Sequence, residues 1–260
     1  MGKVLVITNR KGGCGKSFTT ANLGIGLARQ GKKVLVIDCD NQHSLTVSMG
    51  VKEPDKLPIT IATILGDIIN KKEIEPSAGI IHHAEGVDLM PANNTLTGIE
   101  LSIAPLVGRE ILLKKYLNKV KPLYDYCLID TSPTLDILTI NALAAADSAI
   151  IPVTPKYLDA KGLELLLTSV AEIREFINPN LDISGILLTM VDNRTNFTKE
   201  IINIIEKSYG ETIRIFKDLI PHSVRAAETS ATGKSIFTHD PNGKVAAAYD
   251  GLTREVLENA

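Results

Sequence analysis

Short, almost wholly apolar runs rich in valine and isoleucine alternate along the chain with longer stretches whose apolar residues recur every three or four positions. The runs fall at Val4–Thr8, Val34–Asp38, Val87–Met90, Cys127–Asp130, Ala149–Val153, Ile183–Met190 and Ile213–Phe216. A strand that is apolar at nearly every position is covered on both faces, as the strands of a parallel sheet are. The longer periodicity predicts helices at about Lys16–Gln30, Thr60–Asn70, Gly98–Val120, Ile137–Ala146, Ala160–Ile177, Thr198–Tyr209, Val224–Thr232 and Lys244–Glu258. Within Ala160–Ile177, the residues Leu163, Leu166, Leu167, Val170, Ile173 and Phe176 have the spacing of one buried face. Alternating strand and helix predicts an α/β fold, a doubly wound and mostly parallel sheet with right-handed crossovers. Ligands of such sheets bind beyond the carboxyl ends of the strands. No repeat, low-complexity tract or linker divides the chain, and turn-rich Gly50–Pro58 is no longer than an ordinary connection. A single domain over residues 1–260 is therefore expected.

Composition adds exclusions. With 44% hydrophobic and 22% charged residues, the chain has the make-up of a folded globular protein. Its 3 cysteines are odd in number and lack CxxC spacing, which argues against a disulfide framework and for a reducing cytoplasm. No apolar run approaches the ~18 residues of a membrane span, and the start Met1–Thr8 lacks the features of a signal peptide. Lysine and arginine number 28 against 30 acidic residues, a formal charge of −2. That balance excludes a general cationic coat for nucleic acid but permits a local basic patch.

Candidate chemistry is concentrated in Lys11-Gly-Gly-Cys-Gly-Lys-Ser17, between the first predicted strand and the first predicted helix. Glycines allow a tight turn whose backbone N–H groups converge on a phosphate, and the helix start adds partial positive charge. Lys16 can then neutralise β/γ oxygens and Ser17 can offer its hydroxyl to Mg²⁺. The ordinary pattern has glycine where Arg10 stands here, and a second lysine, Lys11, opens the loop. Asp38 and Asp40 lie two apart at the end of the second predicted strand, and Asp130 closes the apolar run from Cys127. A lone Asp at a strand end is usually a cap or turn former. Three of them beside a phosphate loop point to metal and water chemistry instead.

The loop resembles the deviant phosphate loop of the ParA/MinD class of P-loop ATPases. The likeness extends through Val34–Gln42, Asp130–Thr134, Asn141–Asp147, Gly185–Asn196 and Ile220–Glu228, and is nearest to ParA (Soj-like) partition ATPases. It implies ATP/ADP and Mg²⁺ as cofactors, with Lys11, Lys16 and Asp40 catalytic. Asp40 would polarise the attacking water, and Lys11 would reach a partner's phosphates across an ATP-dependent homodimer. Ser17, Asp38 and Asp130 would hold the metal shell. Lys11, Gly12, Gly13, Cys14, Gly15, Lys16, Ser17, Phe18, Met190, Asp192 and Pro221 would contact the nucleotide. Asn41 stands where the family commonly has proline, His43 where it has glycine, and Phe18 where threonine is frequent. Hydrolysis is still expected, and these residues leave its rate open.

The same resemblance implies nonspecific DNA binding by the ATP dimer and a ParB-like partner that stimulates hydrolysis, moving plasmid or chromosome cargo. Arg194 and Arg225 match contributing positions, Lys199 and Lys244 are weaker candidates, and His222 replaces a frequent arginine. Lys114, Lys115, Lys119 and Lys121 read as a solvated helix face. The acidic end Tyr249–Ala260 lacks the basic amphipathic character of a lipid-binding helix, so no membrane partner is expected. Cys14, Cys39 and Cys127 are not placed for an iron–sulfur cluster, and neither HExxH nor GxSxG occurs. A loop starting at residue 11 leaves no room for an N-terminal helix-turn-helix, so specific operator binding is not expected. A cytoplasmic protein is expected, nucleoid-associated when ATP-bound. The alternative is a nucleotide-switched ATPase that positions a protein cargo.

Overall fold

The computed structural model describes residues 2–192 and 194–259, with residues 157–161 described by their backbone alone. Seven strands form one sheet: β1 Lys3–Ile7, β2 Val34–Cys39, β3 Ile81–His82, β4 Asp88–Met90, β5 Tyr126–Thr131, β6 Ser148–Val153 and β7 Asp182–Leu188. Their order is β3-β4-β2-β5-β1-β6-β7, and every pairing is parallel except the short antiparallel β3–β4 edge. The α/β doubly wound expectation holds. The helices are α1 Lys16–Arg29, α2 Ser44–Ser48, α3 Ile61–Ile69, α4 Leu96–Ile103, α5 Leu112–Val120, α6 Ile137–Ala145, α7 Tyr157–Phe176, α8 Asn196–Tyr209, α9 Val224–Thr232, α10 Ile236–His239 and α11 Lys244–Glu258.

Because side chains alternate across a strand, the sheet divides the core into two layers. Val4, Val6, Leu35, Ile37, Cys127 and Ile129 face α3 to α8. Leu5, Ile7, Val34, Val36 and Leu128 face α1, α2, α10 and α11. Asp38 and Asp130 continue the second set at the carboxyl ends of β2 and β5, where the register pairs them directly.

Three expectations change. The predicted strand Ile213–Phe216 contributes only a single bridge, Ile215 to Ile186. Beyond it the N–H groups of Lys217 and Asp218 turn to the Glu255 carboxylate, at 2.9 and 3.4 Å, instead of extending the ladder. The predicted helix Gly98–Val120 is two helices, since Pro105 cannot continue α4 and Gly108 adopts a left-handed φ of 72°. Phe176 is 76% exposed, because at 3.6 residues per turn it has rotated off the stripe of Leu163, Leu166, Val170 and Ile173. No described helix is long and apolar enough to cross a membrane.

One core residue carries an uncompensated cost. Tyr116 of α5 is fully buried, and its hydroxyl finds no hydrogen-bonding partner among the described residues. Removing an unsatisfied buried hydroxyl relieves its desolvation. Tyr116→Phe is therefore expected to raise unfolding free energy by about 1 kcal/mol, read from urea midpoints. A comparable loss of stability would show that the hydroxyl has a partner in solution.

Candidate functional site

The segment between β1 and α1 is shaped by its first and last residues. Asn9 donates from Nδ2 to the Pro152 carbonyl at 2.6 Å and accepts the Lys11 N–H on Oδ1 at 3.0 Å. This ties the loop to the end of β6. Gly13 and Gly15 have φ of 72° and 86°, conformations that cost an L side chain energy and glycine almost nothing. Gly15 caps α1 without a side-chain hydrogen bond, so the first-turn N–H groups are left to the loop. Lys16 is only 6% exposed, and its Nζ donates to the Lys11 carbonyl at 3.1 Å. The Cys14 thiol donates to the same carbonyl at 3.2 Å, and burial pushes its pKa up. The Thr189 hydroxyl holds the Cys14 carbonyl at 2.8 Å, binding the loop to the chain after β7.

Beneath the loop stand the carboxylates. Asp130 and Asp38 are completely buried neighbours, and desolvation drives both pKa values upward, with the Asp38 charge raising that of Asp130 further and the Asp40 charge that of Asp38. Thr20 donates to Asp130 Oδ1 at 3.4 Å, and the Ser17 hydroxyl and Lys16 charge also favour its ionised form. Asp130 Oδ2 has no hydrogen-bonding partner among the described residues. Asp38 is more fully occupied, accepting the Asp40 N–H on Oδ1 at 3.1 Å and Thr46 on Oδ2. Asp40 is 6% exposed and accepts the Gln42 N–H on Oδ1 at 2.9 Å. Among the described residues no cluster of three or more His, Cys, Asp or Glu is arranged to hold a metal alone. Mg²⁺ is commonly held by one or two carboxylates together with substrate phosphates. The orphaned Asp130 oxygen beside Ser17 fits that arrangement.

The turn after Asp40 closes through the His43 N–H on the Asp40 carbonyl at 2.8 Å, and Asn41 Nδ2 reaches Glu100 at 3.4 Å. His43 has φ 43°, and Met190, on the other side of the loop, has φ 53°. Left-handed non-glycine residues are strained and gather at functional sites.

A pocket of about 220 Å³ adjoins the loop. Gly15, Phe18, Met190 and Pro221 line it, and α9 contributes Ala226, Ala227 and Ser230. Phe18 stands edge-on to Tyr249 of α11, with centroids 5.5 Å apart, which gives the aromatic side chain a packing role. Of the residues expected at the nucleotide, Gly15, Phe18, Met190 and Pro221 line this pocket, while Asp192 and the rest of the phosphate loop do not. Arg194 clamps Asp192 through Nε and Nη2, both at 2.8 Å, and holds its carboxyl at about 2. Arg194, Lys199, Arg225 and Lys244 are all exposed. Among the described residues the last three form no ion pair.

Sequence reasoning missed Asn9, Thr46, Thr189 and the α9 wall. A polar residue eight or more positions from its partner leaves no periodic signal. The helix α2, which carries Thr46, ends at Gly50 against Gly233, the left-handed cap of α9. A Cβ on Gly233 would stand 2.6 Å from the Gly50 Cα, so the two backbones touch with no side chain between them.

Residues 2–183 match the AAA-domain family. The chain is 39% identical over 259 residues to the sporulation initiation inhibitor protein Soj of Bacillus subtilis, covering 100% of both. It is 32% identical to the chromosome partitioning protein ParA of Caulobacter vibrioides, covering 98% of this chain and 94% of that one. A crystal structure from Mycobacterium smegmatis named cobyrinic acid a,c-diamide synthase, with bound ADP and magnesium, superposes with a TM-score of 0.86. It is 32% identical, and the match covers 100% of this chain and 95% of the other.

The geometry makes two stability predictions. Asp130→Asn is expected to stabilise the nucleotide-free protein by about 1–3 kcal/mol at pH 7.5, read by denaturant titration. A raised folded pKa penalises the ionised form, and the penalty grows as pH climbs from the ordinary 3.8 through the raised value. The gain should therefore shrink in acid, and equal stability of the two proteins at every pH would contradict it. At the left-handed turn, His43→Gly is expected to hold or raise stability, whereas β-branched His43→Val costs about 1–2 kcal/mol. A tolerated valine would show that the turn is not left-handed in solution.

Proposed function

The chain belongs to the ParA/Soj family of partition ATPases, and on that premise we propose how its own residues carry out nucleotide-dependent partitioning. The reading takes residues 1–260 as one ATPase domain. ATP enters with its phosphates in the loop Lys11–Ser17, and its base enters the pocket between Phe18, Met190 and Pro221. Backbone N–H groups of the loop and the α1 N-terminus cradle the phosphates, and Lys16 exchanges the Lys11 carbonyl for β/γ oxygens. Ser17, Asp130 and Asp38 hold Mg²⁺, which neutralises phosphate charge when bound. The observation that supports this best is the buried, unpartnered oxygen of Asp130 beside Ser17. Asp40, fixed at the head of its turn, orients and polarises the water that attacks the γ-phosphorus. Lys11 is exposed at the mouth of the loop, where its side chain can serve a second copy's nucleotide. A cation delivered in this way stabilises charge spreading over the γ oxygens and makes hydrolysis depend on dimerisation.

The ATP dimer binds DNA without sequence preference, and a ParB-like partner accelerates hydrolysis and releases it. Arg225, Lys199 and Lys244 present charge on α9, α8 and α11, and Arg194 can leave Asp192 because an exposed pair holds it by only about 0–1 kcal/mol. Doubling a small patch by dimerisation suits a chain of net charge −2, whose binding stays reversible and steeply salt-dependent. Such a protein works in the cytoplasm and moves onto the nucleoid when ATP-bound.

Gel retardation of nonspecific DNA at low salt tests the reading, with retardation expected for ATP-loaded protein and not for the ADP form. If ATP gives no retardation, the positioning of a protein cargo takes its place. Arg225→Ala is expected to lower the salt slope of binding by about 1. Lys16→Gln should abolish nucleotide binding, and Asp40→Ala should run as a dimer with saturating ATP. A monomeric Asp40→Ala protein under those conditions contradicts the role given to Asp40.

A further inference from the structure

We infer that Thr46 is a positioning residue for the reaction at the phosphate loop, one that fixes which oxygen of Asp38 is left to face the metal–nucleotide complex. The inference rests on the role of Asp38 proposed above. Thr46 lies in α2, eight residues beyond Asp38, and is 0% exposed. Its backbone N–H donates to Asp38 Oδ2 at 2.8 Å, and its hydroxyl donates to the same oxygen at 2.6 Å. The hydroxyl also accepts the Ala92 N–H at 2.9 Å. A threonine hydroxyl has a single hydrogen, and the incoming Ala92 donor occupies a lone pair. The hydrogen is thereby directed at Asp38, and the rotor is fixed from both sides.

The consequence falls on the carboxylate. Two donors on Oδ2 use the accepting capacity of that oxygen, while Oδ1 receives only the Asp40 N–H at 3.1 Å. Oδ1 is thus the oxygen with a lone pair to spare. Hydrogen bonds to a charged acceptor are the stronger kind, and here they also replace water around a completely buried group. Without the Thr46 hydroxyl, Oδ2 keeps only the backbone N–H of residue 46 as donor, and the carboxylate is held less firmly in its orientation. An outer-shell partner of this kind typically changes metal affinity by about 10–100-fold when removed.

The test is binding of a fluorescent N-methylanthraniloyl-ATP to the full chain, titrated with MgCl₂. Thr46→Val, which keeps the shape and loses the hydroxyl, is expected to raise half-saturating Mg²⁺ by about tenfold, with Mg²⁺-free affinity unchanged within about twofold. Thr46→Ser should return it to within about threefold of the parent. The double variant with Asp38→Asn should be no worse than Asp38→Asn alone, since both act through one carboxylate. If Asp38→Asn shifts the Mg²⁺ requirement and Thr46→Val does not, the positioning role is wrong and the role of Asp38 stands. If Asp38→Asn shifts nothing, the role of Asp38 fails and the inference falls with it. Should Thr46→Val fail to melt cooperatively, Thr46→Ala replaces it in the same titration. Loss of Mg²⁺-free nucleotide binding by Thr46→Val and Thr46→Ala would mark the residue as merely structural and overturn the inference.

Discussion

Two carboxyl groups held side by side without water are the constraint around which this molecule is arranged. The register of β2 against β5 sets Asp38 opposite Asp130 at the carboxyl edge of the sheet, and both are sealed from solvent. Burial raises the pKa of both acids and the Asp38 charge raises that of Asp130 further, a state that no folding requirement favours. The surroundings offset part of that cost. Lys16 and Ser17 approach from the phosphate loop, Thr20 from one turn further along α1, and Thr46 from α2. One oxygen of Asp130 is still left without a donor. Strain of this kind persists where function maintains it, and the fold is less stable for carrying it.

The phosphate loop and the sheet were largely legible in the amino-acid sequence because the rules that form them are local. Glycine spacing specifies a left-handed turn at Gly13 and Gly15, and runs such as Val34–Ile37 can only be strands buried on both faces. Asp38 and Asp130 were visible for the same reason, since each closes such a run, and Asp40 follows two residues after Asp38. The hidden parts depend on pairings between distant segments. Nothing near Thr46 announces Asp38, nothing near Thr189 announces the Cys14 carbonyl, and α2 is too short to show a period. Ile213–Phe216 has a strand's composition, but Glu255 captures the N–H groups that would have prolonged it. Phe176 obeys the three-residue spacing and nevertheless drifts away from the core, because that spacing is slightly shorter than a helical turn.

The departures from the family's usual residues acquire physical content in three dimensions. His43 takes a backbone conformation that suits glycine, which makes its turn stiffer and more strained than a glycine turn. Asn41 gives up the fixed φ of proline and gains a contact with Glu100. Phe18 widens the aromatic packing on Tyr249 at the wall of the pocket. Phe18 directly follows the phosphate loop, and Asn41 and His43 lie in the turn that follows Asp40.

The meeting of Gly50 with Gly233 gives the two halves of the nucleotide site a common bearing surface. One backbone leads through α2 to Thr46 and Asp38; the other is the end of α9, which walls the pocket beside Met190 and Pro221. Side chains between two elements act as a cushion, because rotamers can yield to a small displacement. Here there is no cushion. A shift of α9 by a few tenths of an ångström must be met by α2 or else open a gap, so the walls around base and phosphate have a shared mechanical tolerance, narrower than that of either wall alone.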